Sequence, residues 1–244
     1  NLKPVVYDQR HAVGGVWNRD ATRPAAENPI YDSLRTNLPK QLMQFWDAPF
    51  DAELPSYVAH ADVQRYLEAY CDRHGLASLL RLRSHVQALS RREGGGWELT
   101  VRHSDERVST ELYDAVVVAN GHFAVPSVPE IRGRCDFEAS GERVVTHSST
   151  YRAPAAYAGR SVMIIGGGPS GTDLALDLAS GGASVILSYR GGVAAAPQLG
   201  GSGVRLAPAV EELAADGAAL FADGPRSEPL DAVVVATGYR YSLP

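Results

Sequence analysis

An α/β fold built from two similar halves is predicted by this 244-residue sequence. The stretch YDAVVVANGH (Tyr113 to His122) returns almost unchanged as LDAVVVATGY (Leu230 to Tyr239). A valine run without a polar face reads as a parallel strand buried on both sides. The glycine that stops it lets backbone approach a ligand at the carboxyl end of the sheet. The third sign is a glycine-rich turn, GGGPSG (Gly166 to Gly171), set between the apolar run SVMII and the helical pattern TDLALDLAS. Together these predict two Rossmann-like halves, each with a crevice where strand order switches. Either decapeptide by itself reads equally as an ordinary buried strand.

With 45% hydrophobic residues the chain can bury one large core or two ordinary ones. A formal charge of -5, with Arg interspersed among Asp and Glu, argues against a nucleic-acid surface and for a small-molecule ligand. Cys71 and Cys135 stand far apart and outside any CxxC. Neither a disulfide framework nor a metal site is expected, and a reducing, cytoplasmic setting fits. No apolar run reaches the roughly 18 to 20 residues of a bilayer span, and NLKPVVYDQR lacks the apolar centre of a signal peptide.

In chain order, KPVVYDQR predicts a short buried strand with no helix before it, as if an upstream segment were missing. Gly14 to Ser56 is irregular and rich in Pro, Asn and aromatics, too long for an ordinary connection and so expected to be functional. In HADVQRYLEAYCDRHGL, Val63, Tyr66, Leu67, Tyr70 and Cys71 recur at helical spacing and Gly75 can close the helix. HVQALSRR, WELTVRH and RVSTELYD then predict an antiparallel meander over 84–113. A Pro- and Gly-bearing connection from Val125 to Gly159 suggests the domain division: 1–155, 156–232, and a return strand over 233–244. After the glycine turn and its helix come the strand ASVILSYR and a flexible Gly/Ala/Pro piece, Gly191 to Gly203. VRLAPAVEELAADGAALFADG predicts a short strand, a helical or loop segment, and another strand before the second valine run.

The GxGxxG spacing gains its meaning from the strand before it and the helix after it. Gly166 permits a tight turn, and Gly168 lets a pyrophosphate approach the helix start at Pro169 and Ser170. Gly171 lets the helix pack close on the strand. The next strand ends Ser188-Tyr189-Arg190, with no acidic residue to hold a free ribose. Arg190 either bonds a 2′-phosphate, favouring NADPH over NADH, or is a solvated surface arginine. In the first half VVYD takes the place of the second strand and puts Asp8 where a ribose hydroxyl is held; its glycine loop would precede Asn1. Gly121, Thr237 and Gly238 mark the two valine stops.

Read in order, GGVWN (Gly14 to Asn18), YDSLRTNLPKQLMQFWDAPF (Tyr31 to Phe50), HADVQRYLEAYC, ANGHFAVPSVP, HSSTYR (His147 to Arg152), GGGPSG and ATGYRYSLP resemble the flavin-containing monooxygenases over essentially the whole chain. The resemblance implies a three-layer FAD/NAD(P)-binding fold, an FAD domain that includes the meander and carries an inserted NADPH domain. It implies FAD reduced by NADPH, dioxygen held as a C4a-hydroperoxyflavin, and N- or S-oxygenation of small nucleophilic substrates. By position it places Asp8 and Gln9 at the FAD ribose and adenine side, Gly15, Val16 and Trp17 beside the flavin, and Val86 near the adenine. Asn37 matches the family asparagine near flavin C4a, or is a turn or cap residue before Pro39.

The family's FxGxxxHxxxY motif is imperfect here: His147 and Tyr151 keep their spacing, while Phe137 and Gly141 stand out of phase. His147 is a structural residue joining the domains or a general acid or base, and Tyr151 contacts NADP(H) or packs the linker. Relative to that family the chain lacks the amino-terminal glycine loop and the carboxy-terminal part. A catalytically silent NADP(H)-binding module and a Baeyer–Villiger or N-hydroxylating monooxygenase are therefore alternatives. Absence of CxxC disfavours a disulfide reductase. A homodimer, and membrane association through a carboxy-terminal segment, are compatible with the resemblance.

Overall fold

The computed structural model describes residues 2–20, 23, 28–190, 199–222 and 224–243. The chain forms two compact units: Asn1–Arg19, Arg35–His122 and Tyr241–Pro244 make the first, and Asp20–Leu34 with Phe123–Arg240 the second.

In the first unit, β1 (Val6–Tyr7) pairs in parallel with β2 (Leu80–Arg81). The expected buried strand is thus two residues long, and Val6 is 47% exposed. The short α1 (Lys40–Met43) precedes α2 (His60–Arg73). The start of α2 is fixed by Asp62, whose carboxylate accepts from the Ala59 amide at 3.1 Å, a favourable place for negative charge. Val63 and Cys71 are buried, and Gly75 follows at φ 60, a left-handed position that glycine fills without strain. The meander forms as expected: β3 (His85–Arg91), β4 (Trp97–Arg102) and β5 (Val108–Tyr113) pair antiparallel, with Leu99 and Val101 buried on alternate positions.

The first valine run departs from expectation. Residues 115–120 form no strand, and Val117 is 89% exposed. A doubly apolar run becomes a buried strand only when partners flank it, and among the described residues no strand pairs with this one.

The second unit contains β6 (Val125–Pro126), α3 (Arg134–Glu138), β7 (Val144–His147), β8 (Ser161–Ile165), α4 (Pro169–Ser180), β9 (Ser184–Ser188), β10 (Arg205–Ala207), β11 (Val210–Leu213), β12 (Ala219–Phe221), β13 (Ala232–Val235) and β14 (Tyr239–Arg240). Five of these strands make an all-parallel sheet in the order β10-β9-β8-β13-β7. The second valine run, β13, lies between β8 and β7 with every residue fully buried, as its composition predicts.

Alternate side chains of the central strands feed two cores. Val162, Ile164 and Val234 face Leu174, Ala175 and Leu178 of α4. Met163, Val233 and Val235 face Phe137 of α3 and Leu213 and Phe221 of a hairpin. The result is three layers, with α4 on one side of the sheet and α3 with the β11–β12 hairpin on the other.

That hairpin corrects the helical or loop segment expected over VEELAAD. Asp216 and Gly217 make the turn: the Asp216 carboxylate accepts from Ala218 N at 3.2 Å and Gly217 has φ 94. Burial of Leu213, Ala219 and Phe221 in the core overrides the helix propensity of Glu and Ala. The two compact units meet along the chain at His122/Phe123, and β7 is hydrogen-bonded into the sheet of the second unit. Most of the expected Gly191–Gly203 turn region lies outside the described residues. No helix among the described residues is long and apolar enough to cross a membrane.

Candidate functional site

The glycine turn sits where β8 ends. Gly166 has φ 123, and a Cβ there would lie 2.4 Å from the carbonyl oxygen of Ala236, the residue after β13. A Cβ on Gly171 would lie 1.8 Å from the Gly166 oxygen, so only glycine lets α4 start this close to the turn. Gly168 differs: it is extended, at φ -75 and ψ 179, and a Cβ built on it meets no atom within 4 Å. Its open side is where a ligand can approach.

Pro169 opens the helix with a residue that has no N–H to leave unpaired. The backbone amide of Thr172 donates to Gly168 O at 3.0 Å, so the Ser170 and Gly171 amides precede the first intrahelical bond. Free first-turn amides and the positive end of the helix dipole make an anion site. The residues present therefore fit a dinucleotide diphosphate: a positive-φ turn, a helix start, and backbone open at Gly168.

At the end of β9, Ser188 and Arg190 differ in their surroundings. Ser188 is buried; its Oγ donates to Pro208 O at 2.7 Å and accepts from Val210 N at 3.1 Å. Its side chain, expected from sequence at the cofactor, ties β9 to the segment after β10. Arg190 is exposed, as a phosphate ligand must be. Between them, the Tyr189 ring lies against the glycine turn, 2.8 Å from where a Cβ on Gly167 would stand. Sequence reasoning missed Tyr189; its place one residue before Arg190 was the available signal.

Of the two readings of Tyr151, its surroundings favour packing. It is 2% exposed, and its hydroxyl donates to Asp177 Oδ2 at 2.6 Å, so it packs the core beneath α4. Its ring meets that of Tyr31 edge-on at 5.4 Å, and Tyr31 is hydrogen-bonded to Asp173 one turn earlier on α4. Burial raises both tyrosine pKa values and that of Asp173.

At the second valine stop, Thr237 is exposed and its hydroxyl donates to Ser127 O. Gly238 has φ 81, and its carbonyl accepts from Ser127 N at 2.9 Å. His147 Nε2 lies 3.1 Å from the same oxygen. Because the Ser149 amide donates to His147 Nδ1 at 3.1 Å, the ring proton sits on Nε2 and is donated to Gly238 O. Burial pulls the His147 pKa below its usual value, with the Gly238 bond opposing. His147 therefore clamps the end of β7 to the turn after β13, a structural role inside the second unit.

In the first unit, Gly14 (φ 110) and Gly15 (φ 54) start a tight turn over Gly15–Trp17. Gln64 of α2 fills the space beside Gly14, its Nε2 donating to Val13 O at 2.9 Å. Trp17 packs on Phe50, Val58 and Val63, together with Met43 and Leu54 from the Asn37-bearing segment. The structure thus brings the Gly15-Val16-Trp17 turn and that segment onto one apolar cluster. Asn37 itself is exposed, in a bend just before Pro39.

Asp8 accepts from Arg10 N at 2.8 Å and its backbone bonds residues 81 and 84; Gln9 is exposed. Val86 follows in β3, opposite Val101. Gly121 is exposed at φ 72, beyond a valine run that forms no strand, so the first stop is not built as the second is. No His, Cys, Asp and Glu cluster among the described residues can hold a metal ion.

The model of the flavin-binding monooxygenase-like family matches residues 1–203. Flavin-containing monooxygenase FMO GS-OX5 of Arabidopsis thaliana is 29% identical over 265 aligned positions, which cover 100% of this chain and 56% of that protein. Flavin-containing monooxygenase 3 of Macaca mulatta is 27% identical, over 78% of this chain and 36% of its own length. Among solved structures, the S-allyl-L-cysteine S-oxygenase from Allium sativum superposes with a TM-score of 0.82 at 29% identity, covering 98% of this chain and 58% of that one. The chain thus spans about half the length of the plant relatives it matches. A glycine turn fitted to a diphosphate, a parallel sheet behind it and this match over most of the sequence agree: the chain belongs to the flavin-binding monooxygenase-like family, which uses FAD and NADPH.

Proposed function

We propose that the protein is an NADPH- and O2-dependent flavin monooxygenase that oxygenates nitrogen or sulfur in small molecules, and that this chain holds its dinucleotide-binding units. The observation that carries the reading is the glycine turn, closed to any side chain at Gly166 and Gly171 and open at Gly168. FAD, when bound, supplies the hydride acceptance and dioxygen activation that no protein side chain offers.

The chain's own residues bind, orient and shield. Amides of Ser170 and Gly171 take the NADPH diphosphate, and Arg190 takes the 2′-phosphate in a charge-assisted bond. Asp8, Gln9 and Val86 serve the adenosine side of FAD. The Gly15–Trp17 turn lies beside the flavin, where the Trp17 cluster excludes water. Asn37 presents a donor and an acceptor from one amide to the reacting region. The S-oxygenase among its structural relatives favours sulfur as one substrate atom.

The test is to load the chain with FAD, add NADPH without oxygen, then admit oxygen with a thioether or tertiary amine. Bleaching of the flavin band followed by sulfoxide or N-oxide supports the reading. A second reading, a module that binds NADP(H) without oxygenating anything, draws on the exposed Val117 in an unpaired valine run. A colourless protein that still binds NADPH would favour it.

A further inference from the structure

Lysine is among the residues least often enclosed without a carboxylate partner, yet Lys40 is 7% exposed. Its Nζ donates to the carbonyl oxygens of Asp51 at 2.7 Å, Ala52 at 2.9 Å and Leu54 at 2.5 Å. An ammonium has three protons to give, and here three converging carbonyls take them. The backbone is anchored at the same place: Lys40 N donates to Ser56 O at 2.6 Å. On the other side of Asn37, Thr36 N donates to Val58 O at 2.9 Å and its hydroxyl to Leu38 O at 2.8 Å. Arg35 continues the pairing by bridging Ala59. Asn37 therefore sits on a short bend with both ends tied to the 51–59 segment, and Pro39 (φ -60) stiffens it.

We propose that Lys40 is the positioning residue for Asn37: its ammonium fills a cation cradle made by the carbonyls of residues 51, 52 and 54, and so fixes the bend that presents the Asn37 amide. This rests on the reading of Asn37 given above. Without the ammonium the three converging carbonyls lose their shared donor, and the bend loses the tie nearest its carboxyl end. Arginine is no substitute, since its planar fork cannot point three protons at one cluster of carbonyls. A small alkylammonium ion can: propylammonium carries the carbon and nitrogen atoms that Lys40→Ala removes.

Amide hydrogen exchange on the FAD-loaded chain reads the cradle directly, without turnover. Lys40→Met and Lys40→Ala should each speed exchange of the Thr36 amide and of the residue 40 amide at least tenfold. Propylammonium should slow it again in Lys40→Ala but not in Lys40→Met, whose side chain still occupies the space. Where Lys40→Met does not fold, Lys40→Ala refolded with and without propylammonium carries the test. Unchanged exchange, or no rescue, overturns the cradle.

Coupling to Asn37 is read from the fraction of NADPH consumed that appears as hydrogen peroxide. Asn37→Ser and Lys40→Met should each raise that fraction, and the double variant should add little to either. Additive effects overturn positioning. Accelerated exchange in Lys40→Met with no change of peroxide in Asn37→Ser overturns the reading of Asn37 while leaving the cradle to stand or fall by the rescue.

Discussion

Gly168 and Gly171 stand three positions apart, yet a methyl group added to each has opposite consequences. At Gly171 it would meet the Gly166 carbonyl at 1.8 Å, which backbone cannot yield without moving the turn. Gly171→Ala should cost about 3 kcal/mol or more in urea unfolding. At Gly168 it meets nothing within 4 Å, so Gly168→Ala should keep stability within about 0.5 kcal/mol. His147 gives a pH signature. Its folded pKa lies below the ordinary value of 6.5, so the unfolded chain takes up a proton that the fold resists. Its contribution is complete above about pH 6.5 and is lost as pH falls toward the lower folded value. Melting temperature should drop as pH falls below about 6.5, and His147→Asn should lie lower at neutral pH with a shallower slope. At this scale the glycines were legible because spacing and context state a backbone requirement. The partners of the Ser188 and Tyr151 hydroxyls, Pro208 O and Asp177, were not legible because tertiary packing chooses them. Lys40 was invisible for the same reason: its acceptors are main-chain carbonyls, which leave no mark on composition.

The strand, helix and strand of β8, α4 and β9 form the element on which the dinucleotide reading depends. Leu178, fully buried on α4, packs on Val162 and Val185 in the core behind the glycine turn. Leu178→Ala should cost about 2 to 5 kcal/mol, seen as a lower urea midpoint with an unchanged slope. Elements with strict periodicity were read correctly: α2 from its apolar spacing and Gly75, and the meander from β-rich alternation. Failures came where context decides. The sequence VEELAAD carries helix formers but is a strand because Leu213 has a core to enter. The two valine runs share nearly the same letters, and only β13 has neighbours on both sides.

For the whole molecule, two halves were legible in the repeated valine runs, while the pairing of β7 was not. The valine runs suggested where sheets end, whereas β7 joins the second unit's sheet by hydrogen bonds that no local pattern announces. An unpaired apolar run also carries a hazard of its own. Val117, 89% exposed, offers backbone and side chain to other molecules, and Val117→Lys should reduce aggregation in light scattering without lowering the melting temperature. The account as a whole stands on the turn between β8 and α4 being a phosphate cradle for NADPH. Calorimetric titration of the wild-type chain and of Gly168→Ala tests this most directly. Wild type should bind NADPH in preference to NADH, and Gly168→Ala should bind it at least tenfold more weakly while melting as the wild type does. Absence of NADPH binding, or equal affinity in the two proteins, would contradict it.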